Sequence, residues 1–228
     1  MKLNIKLSRV LMALCLGGAF VSCSDLLDQE PPSYVVPSDY FKTADQVQAS
    51  ANSFYSSLLP SHGGGYGLYG NDCGTDNQAA MGADGKYADK QWKTGMDNGN
   101  WYFDNVRALN YKLKTCVDNN EKGLISGNQK DIKQYIGEMY FFRAYTYFGL
   151  LRNWGDFPIV TEVLPDNEAI LVAANKRRPR NEVARFIIAN LDTAMTYMSD
   201  NFEAKHTRVS RDVAMLVKSR VALYEASF

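Results

Sequence analysis

The chain has 228 residues, 25 Lys+Arg against 25 Asp+Glu, and a hydrophobic share of 46 %. A balanced charge offers no extended basic surface to a polyanion, so nucleic-acid binding is disfavoured. Two histidines, His62 and His206, stand far apart, and none of the four cysteines sits at metal-ligand spacing, so a zinc site or a histidine-based triad lacks its parts.

In chain order, Lys2, Lys6 and Arg9 precede the uncharged run Val10 to Val21, "VLMALCLGGAFV". A bilayer span needs about 20 apolar residues, so this shorter run fits the apolar region of a secretory signal, with small residues ahead of the cut. The word "VSCS" places Cys23 where a lipoprotein signal is cut and its thiol acylated. More than one acyl chain holds a protein on a membrane far better than one, at about 0.8 kcal/mol per buried methylene. The ordinary cleaved signal with an incidental cysteine is the alternative. On the lipoprotein reading, residues 1–22 leave, and the mature chain begins at Cys23 with 206 residues and a net charge of −3. No second long apolar run follows, so the body is expected to be tethered rather than inserted.

Residues 23–42 read as an extended tether, because Pro31, Pro32 and Pro37 bias their predecessors away from helix. Thr43 with Gln46 forms a capping-box pattern, and Val47, Ala51, Phe54, Tyr55 and Leu58 give a helical stripe ending at Pro60. Ser61 to Trp92 changes texture. It is rich in Gly, Asp, Asn and Tyr without helical period, and tracts this long are functional or disordered; its aromatics argue against disorder. A second stripe runs through Tyr102, Val106, Leu109, Leu113 and Cys116. Cys73 and Cys116 could pair in an exported chain, although sequence cannot establish proximity.

After "KGLISGNQ", with Ser126 or Asn128 as cap, the longest helix spans about Lys130 to Asn153 and stops at Gly155, with Pro158 beyond. Residues 159–180 read as irregular or briefly extended. Asn181 is the expected cap of a fourth helix with Val183, Phe186, Ile187, Leu191, Ala194 and Met198 on one face. Ser210 caps a fifth carrying Val213, Leu216, Val217, Val221 and Tyr224. That stripe is still in progress at Phe228, and a truncated core is expected. The sum is a mostly helical chain in antiparallel pairs, with long irregular loops and minor strands.

The most specific string is "GEMYFFRAYTYFGLLRNWGDFPIV", Gly137 to Val160. Its aromatic crowding reads as helix-packing core. Ala144 and Gly149 would let another helix come close, Arg143 can pair with a carboxylate or stack on a ring, and Glu138 with Arg143 suggests a structural ion pair rather than catalytic machinery. This string resembles the signature of the SusD/RagB family of Bacteroidetes outer-membrane lipoproteins, with Glu138, Arg143, Tyr147, Gly155, Asp156 and Pro158 as its structural residues. "WYFDNVRALNYKL" is similar to the family's aromatic–Arg–Asn helix at Trp101, Arg107 and Asn110. "RVSRDVAMLVKSRVALYEAS" resembles a later helix at Ala214, Lys218, Arg220 and Tyr224, and "SCSDLLDQEP" looks like the acidic mature start associated with export to the outer leaflet. The resemblance implies tetratricopeptide-like helix pairs over residues 43–228, and a surface-exposed glycan-binding lipoprotein without enzymatic activity or cofactor. It also implies a TonB-dependent (SusC-like) outer-membrane transporter as partner. Family members are longer, and the match is to their N-terminal portion.

A sugar presents ring C–H patches and a rim of hydroxyls, so its site needs flat aromatics beside amides and carboxylates. The tract 61–92 supplies both: Trp92 and Tyr69 are the expected stacking platforms, and Asp72, Asp76 and Asn77 the hydroxyl contacts. For Trp92 the alternative is a loop anchor packed on helices. Two other functions compete with glycan capture. Helix pairs alone would serve a scaffold that binds a protein partner. A glycoside hydrolase would need two facing carboxylates; Asp72, Asp76, Asp84 and Asp89 are candidates, but Asp beside Gly is also ordinary turn chemistry.

Overall fold

The computed structural model describes residues 40–59, 102–200, 202 and 207–228. The chain divides into two units, Met1–Tyr40 and Phe41–Phe228. Among the described residues of the second lie six helices: α1 (Ala44–Leu58), α2 (Asp104–Glu121), α3 (Gln129–Trp154), α4 (Glu168–Ala174), α5 (Arg180–Tyr197) and α6 (Arg211–Ala226). Among the described residues the extended pairing is limited to two isolated bridges, Thr43 with Ser126 and Phe157 with Arg178. The fold is all-α.

Local chemistry starts these helices where side chains satisfy orphan amides. Thr43 Oγ1 accepts from Gln46 N–H at 3.3 Å, while Gln46 Oε1 accepts from Thr43 N–H at 3.2 Å, closing the capping box of α1. Asn128 caps α3 by accepting from Lys130 N–H at 2.9 Å. Ser126, the other candidate, instead joins the chain ahead of α1: its N–H donates to Lys42 O, and its C=O accepts from Ala44 N–H. Ser210 caps α6 through Val213 N–H. Asn181 does not cap α5. That helix begins one residue earlier, and its first amide, Arg180 N–H, donates to Asp156 Oδ1 at 2.8 Å. A carboxylate from the end of another helix therefore does the work expected of a local one.

Helix α3 is the axis of the core. Ile132, Ile136, Met139, Phe142, Tyr147 and Leu151 are buried along it, and α1, α2 and α5 pack around it. Contacts set the directions. Gly137 meets Ala194 and Met198, Tyr140 stacks on Tyr197 at 5.6 Å, and Tyr147 meets Phe186 edge-on at 4.8 Å, so α3 and α5 run antiparallel. Arg180–Glu225 and Arg211–Asp200 make α5 and α6 antiparallel in turn. This is the helix-pair arrangement expected from the sequence.

Several details differ. Tyr102 precedes α2 and is 74 % exposed, while Val106, Leu109, Leu113 and Cys116 are buried as the stripe requires. Cys116 is a free thiol, with burial pushing its pKa up to about 12. Residues 168–174 form a helix, α4, capped by Asn167, although none of its side chains is buried. On α6 the buried positions are Ala214 and Val221, while Leu216 is 70 % exposed. The close-approach glycine is Gly137, not Gly149. A Cβ on Gly137 would lie 2.9 Å from Ala194 O and 2.9 Å from Met198 Cγ, whereas one on Gly149 meets nothing within 4 Å. Gly137→Ala is therefore expected to destabilise by about 1–3 kcal/mol through overpacking. Gly149→Ala should be neutral, or stabilising by up to about 1 kcal/mol from helix propensity. Thermal melts of the two variants side by side check the assignment.

Candidate functional site

Five of the six signature residues, Arg143, Tyr147, Gly155, Asp156 and Pro158, converge on one corner of the fold. Gly155 ends α3 at φ 68°, a left-handed value that favours glycine. Asp156 caps α5, Phe157 is fully buried and exchanges backbone hydrogen bonds with Arg178, and Pro158 is buried behind it. Tyr147 reaches past this corner. Its hydroxyl accepts from Val160 N–H at 2.9 Å and donates to Val160 C=O at 3.1 Å. Burial pushes that phenol up to about 12, so it stays a donor at neutral pH.

Arg143 is the hub beneath it. Its Nε donates to Asn190 Oδ1 at 2.8 Å and a terminal nitrogen to Asn110 Oδ1 at 3.2 Å, with the rings of Tyr140 and Phe186 at 5.1 and 5.7 Å. Burial lowers its pKa below the ordinary arginine value. The expected Glu138–Arg143 pair does not form. Five residues, about 1.4 turns, put the two on different sides of the helix, and Glu138 is wholly buried where Arg208 grips both its oxygens at 2.8 and 2.6 Å. Arg143 keeps neutral amide partners and aromatic faces instead. Asn190 and Arg208 escaped the sequence reading. Asn190 had a signal, since it is a polar residue inside the stripe of α5.

Asn110 completes the corner. Its Nδ2 donates to Val160 O at 2.9 Å and Glu162 O at 3.4 Å, and Arg107 donates to Leu164 O at 3.3 Å. Three side chains, Tyr147, Asn110 and Arg107, thus pin the strap 160–164 across the start of α2. Strap, α2 and α4 enclose a cleft of about 390 Å³. Phe103, Val106, Leu164 and Leu171 make it mainly apolar, and Arg107 and Glu162 supply polar groups. Its size is in the small-ligand range, and Phe103, just ahead of α2, forms part of its wall. The candidate sugar residues Trp92, Tyr69, Asp72, Asp76 and Asn77, with Cys23, lie outside the described residues. Among the described residues no cluster of three or more metal-type side chains occurs, and no helix is long and apolar enough to cross a membrane.

Comparison with known proteins agrees with this architecture. The family model SusD-like, described as "Starch-binding associating with outer membrane", matches residues 25–223. SusD-like protein P2 of Formosa agariphila is 29 % identical over 213 residues, covering 91 % of this chain and 40 % of that protein. SusD-like protein P25 of the same organism is 21 % identical, covering 98 % and 44 %. This chain thus spans less than half the length of either relative. A SusD superfamily protein from Bacteroides vulgatus, 18 % identical, superposes with a TM-score of 0.56 over 82 % of this chain and 44 % of its own, which supports the same fold.

Proposed function

Because the chain belongs to the SusD-like family of starch-binding, outer-membrane-associated proteins, we propose that it captures oligosaccharides at the outer membrane and passes them to a TonB-dependent transporter. The observation that carries this is the family match across residues 25–223, which includes the aromatic and polar tract Ser61 to Trp92. The conspicuous carboxylate of the signature, Glu138, is wholly buried against Arg208 and reads as structural. Sugar contact falls to Trp92 and Tyr69 as ring platforms and to Asp72, Asp76 and Asn77 as hydroxyl partners, on the chemistry set out above. Phe103 and the polar residues Arg107 and Glu162 line the cleft between the strap, α2 and α4.

Trp92→Ala is expected to weaken oligosaccharide binding by about 1–3 kcal/mol while leaving helix content intact, as for an interface anchor. Calorimetric titration with the sugar, run beside a thermal melt, checks it. Unchanged affinity with an unchanged melting temperature removes Trp92 from the site, and a large drop in melting temperature makes it a packing anchor instead.

The lipid anchor at Cys23 belongs to the same reading. Residues 1–22 act as the signal and the stretch from Cys23 as the tether, which stops short of residue 42 because Phe41 is already buried in the folded unit and Lys42 O accepts from Ser126 N–H. Cys23→Ala should leave the protein as unprocessed precursor or release it from the membrane fraction. A variant that still partitions into outer membranes with a normally processed N-terminus contradicts the anchor.

A further inference from the structure

Among the described residues, Phe41 is the non-glycine with a positive φ, 67°. A bulky side chain is strained there, and such strain persists only where the surroundings over-determine it. Here they do. The ring is buried, at 3 % exposure, and Asn119 Nδ2 donates to Phe41 O at 3.3 Å. Lys42 O accepts from both the N–H and the hydroxyl of Ser126, at 2.8 and 3.1 Å. Ser126 O accepts in turn from Ala44 N–H at 2.9 Å. Residues 41–44 are therefore bonded, on both sides of Thr43, to the connection between α2 and α3. That connection is shaped to receive them. Leu124 N–H donates to Asn119 O at 2.9 Å, which fixes the turn from which the Asn119 side chain reaches. Gly127 has φ 122°, and a Cβ on it would lie 2.7 Å from Ala44 Cβ, so the close approach requires glycine. Asn128 caps α3 directly afterwards.

This arrangement decides how a pull on the N-terminal chain is carried. The inference takes its setting from the lipid anchor proposed above. On that reading the 18 residues from Cys23 to Tyr40 can span up to about 60 Å, and any movement of the folded unit away from the membrane pulls on Phe41. A load that reached Thr43 would fall on the capping box and open α1 from its first turn, where helices fray. Loss of α1 would dismantle the core. Val47, Ala51 and Phe54 are buried in it, Asn52 accepts from Arg208, and the Tyr55 hydroxyl accepts from Val209 N–H. Lys42 stands one residue ahead of Thr43, and its carbonyl hands the load to Ser126. The Phe41 ring must also leave its buried position before the left-handed turn can straighten.

We propose that Phe41, Lys42 and Ser126 form a force-bearing latch, through which tension on the N-terminal tether passes into the α2–α3 connection and bypasses α1. The strained turn at Phe41 is what turns the ring into the folded unit at the point where the tether ends. Asn119 and Gly127 hold the receiving side in place.

Optical tweezers test this on the whole chain, with one handle at the N-terminus and the other on an azido side chain in place of Lys130, which is exposed at the start of α3. The reading is the lifetime of the folded state at constant force. Phe41→Gly keeps the left-handed backbone and removes the ring. It should shorten the lifetime by about tenfold or more, because the burial of a phenyl group is lost. Asn119→Ala, a milder cut in the same latch, should shorten it in the same direction. Thr43→Ala removes the cap of α1 and leaves the latch bonds in place, so it should lower the melting temperature without changing the lifetime under load. A Thr43→Ala lifetime that falls as far as that of Phe41→Gly overturns the proposal, and so do three lifetimes equal to the wild type. No lipid is needed, so the result is independent of the membrane fractionation of Cys23→Ala that tests the anchor itself.

Discussion

Glu138→Ala is expected to destabilise the fold by about 3–5 kcal/mol, the scale of removing one partner from a buried ion pair. Glu138 is fully buried and Arg208 nearly so, with side-chain exposures of 0 % and 12 %. Burial alone would depress the Arg208 pKa, yet hydrogen bonding to the carboxylate and its charge raise it above the ordinary arginine value. The guanidinium also donates to Asn52 Oδ1 at 2.7 Å and lies over the rings of Tyr55 and Tyr135 at 5.1 and 4.9 Å. Two further bonds lock the next residue: Val209 N–H donates to Tyr55 Oη at 2.8 Å, and its C=O accepts from Gln134 at 2.9 Å. The pair therefore staples α1, α3 and the approach to α6. Without the carboxylate, Arg208 stays among rings with its charge uncompensated. Replacing both partners, Glu138→Met with Arg208→Met, should recover most of the loss, because the desolvation cost goes with the charges. Urea unfolding of the single and double variants measures this; a double variant as unstable as the sum of the singles contradicts it.

Tyr147→Ala should cost about 3–5 kcal/mol by leaving a large cavity in the core. The ring is fully buried, between Phe157 at 6.2 Å and Phe186 at 4.8 Å. Tyr147→Phe should be milder but still cost about 1–3 kcal/mol. It keeps the ring and deprives both backbone groups of Val160 of their partner on that side chain. The effect is local as well as global. With one of its three ties cut, the strap 160–164 should exchange its amides faster while the middle of α3 stays protected, which hydrogen exchange resolves. A Phe variant with wild-type stability and wild-type exchange at Val160 removes the strap from the role assigned to Tyr147.

Local chemistry was legible in the sequence wherever neighbours in the chain settle the structure. The Thr43–Gln46 capping box, the Ser210 cap, the span of α3 and the glycine stop at Gly155 all depend on residues within a turn of one another. Tertiary partners were not legible. Asp156 displaces Asn181 at the start of α5 because chain reversal brings it there, 24 positions away in sequence, and Glu138 chooses Arg208, 70 positions distant, over Arg143 on its own helix. Helix α4 is seven residues long, too short to show a period, although Asn167 and the run "EAILVAA" carry a cap and good helix formers. On α6 apolar residues occupy two faces, so the stripe alone could not decide which one meets α5. The resemblance of Gly137 to Val160 named the signature residues. Distances supply their reason: Arg143, Tyr147, Gly155, Asp156 and Pro158 fix the corner between α3, the strap and α5, while Glu138 joins α3 to Arg208 on another side.

Glycan capture itself is tested most directly by titrating the whole chain, carrying Cys23→Ala to keep it in solution, with soluble starch, laminarin, levan and pectic oligosaccharides in a calorimeter. The account predicts saturable binding to at least one of them, lost on Trp92→Ala and kept in Tyr147→Phe despite its lower melting temperature. A folded chain that binds none of the four, or one whose binding survives Trp92→Ala and disappears in Tyr147→Phe, contradicts it.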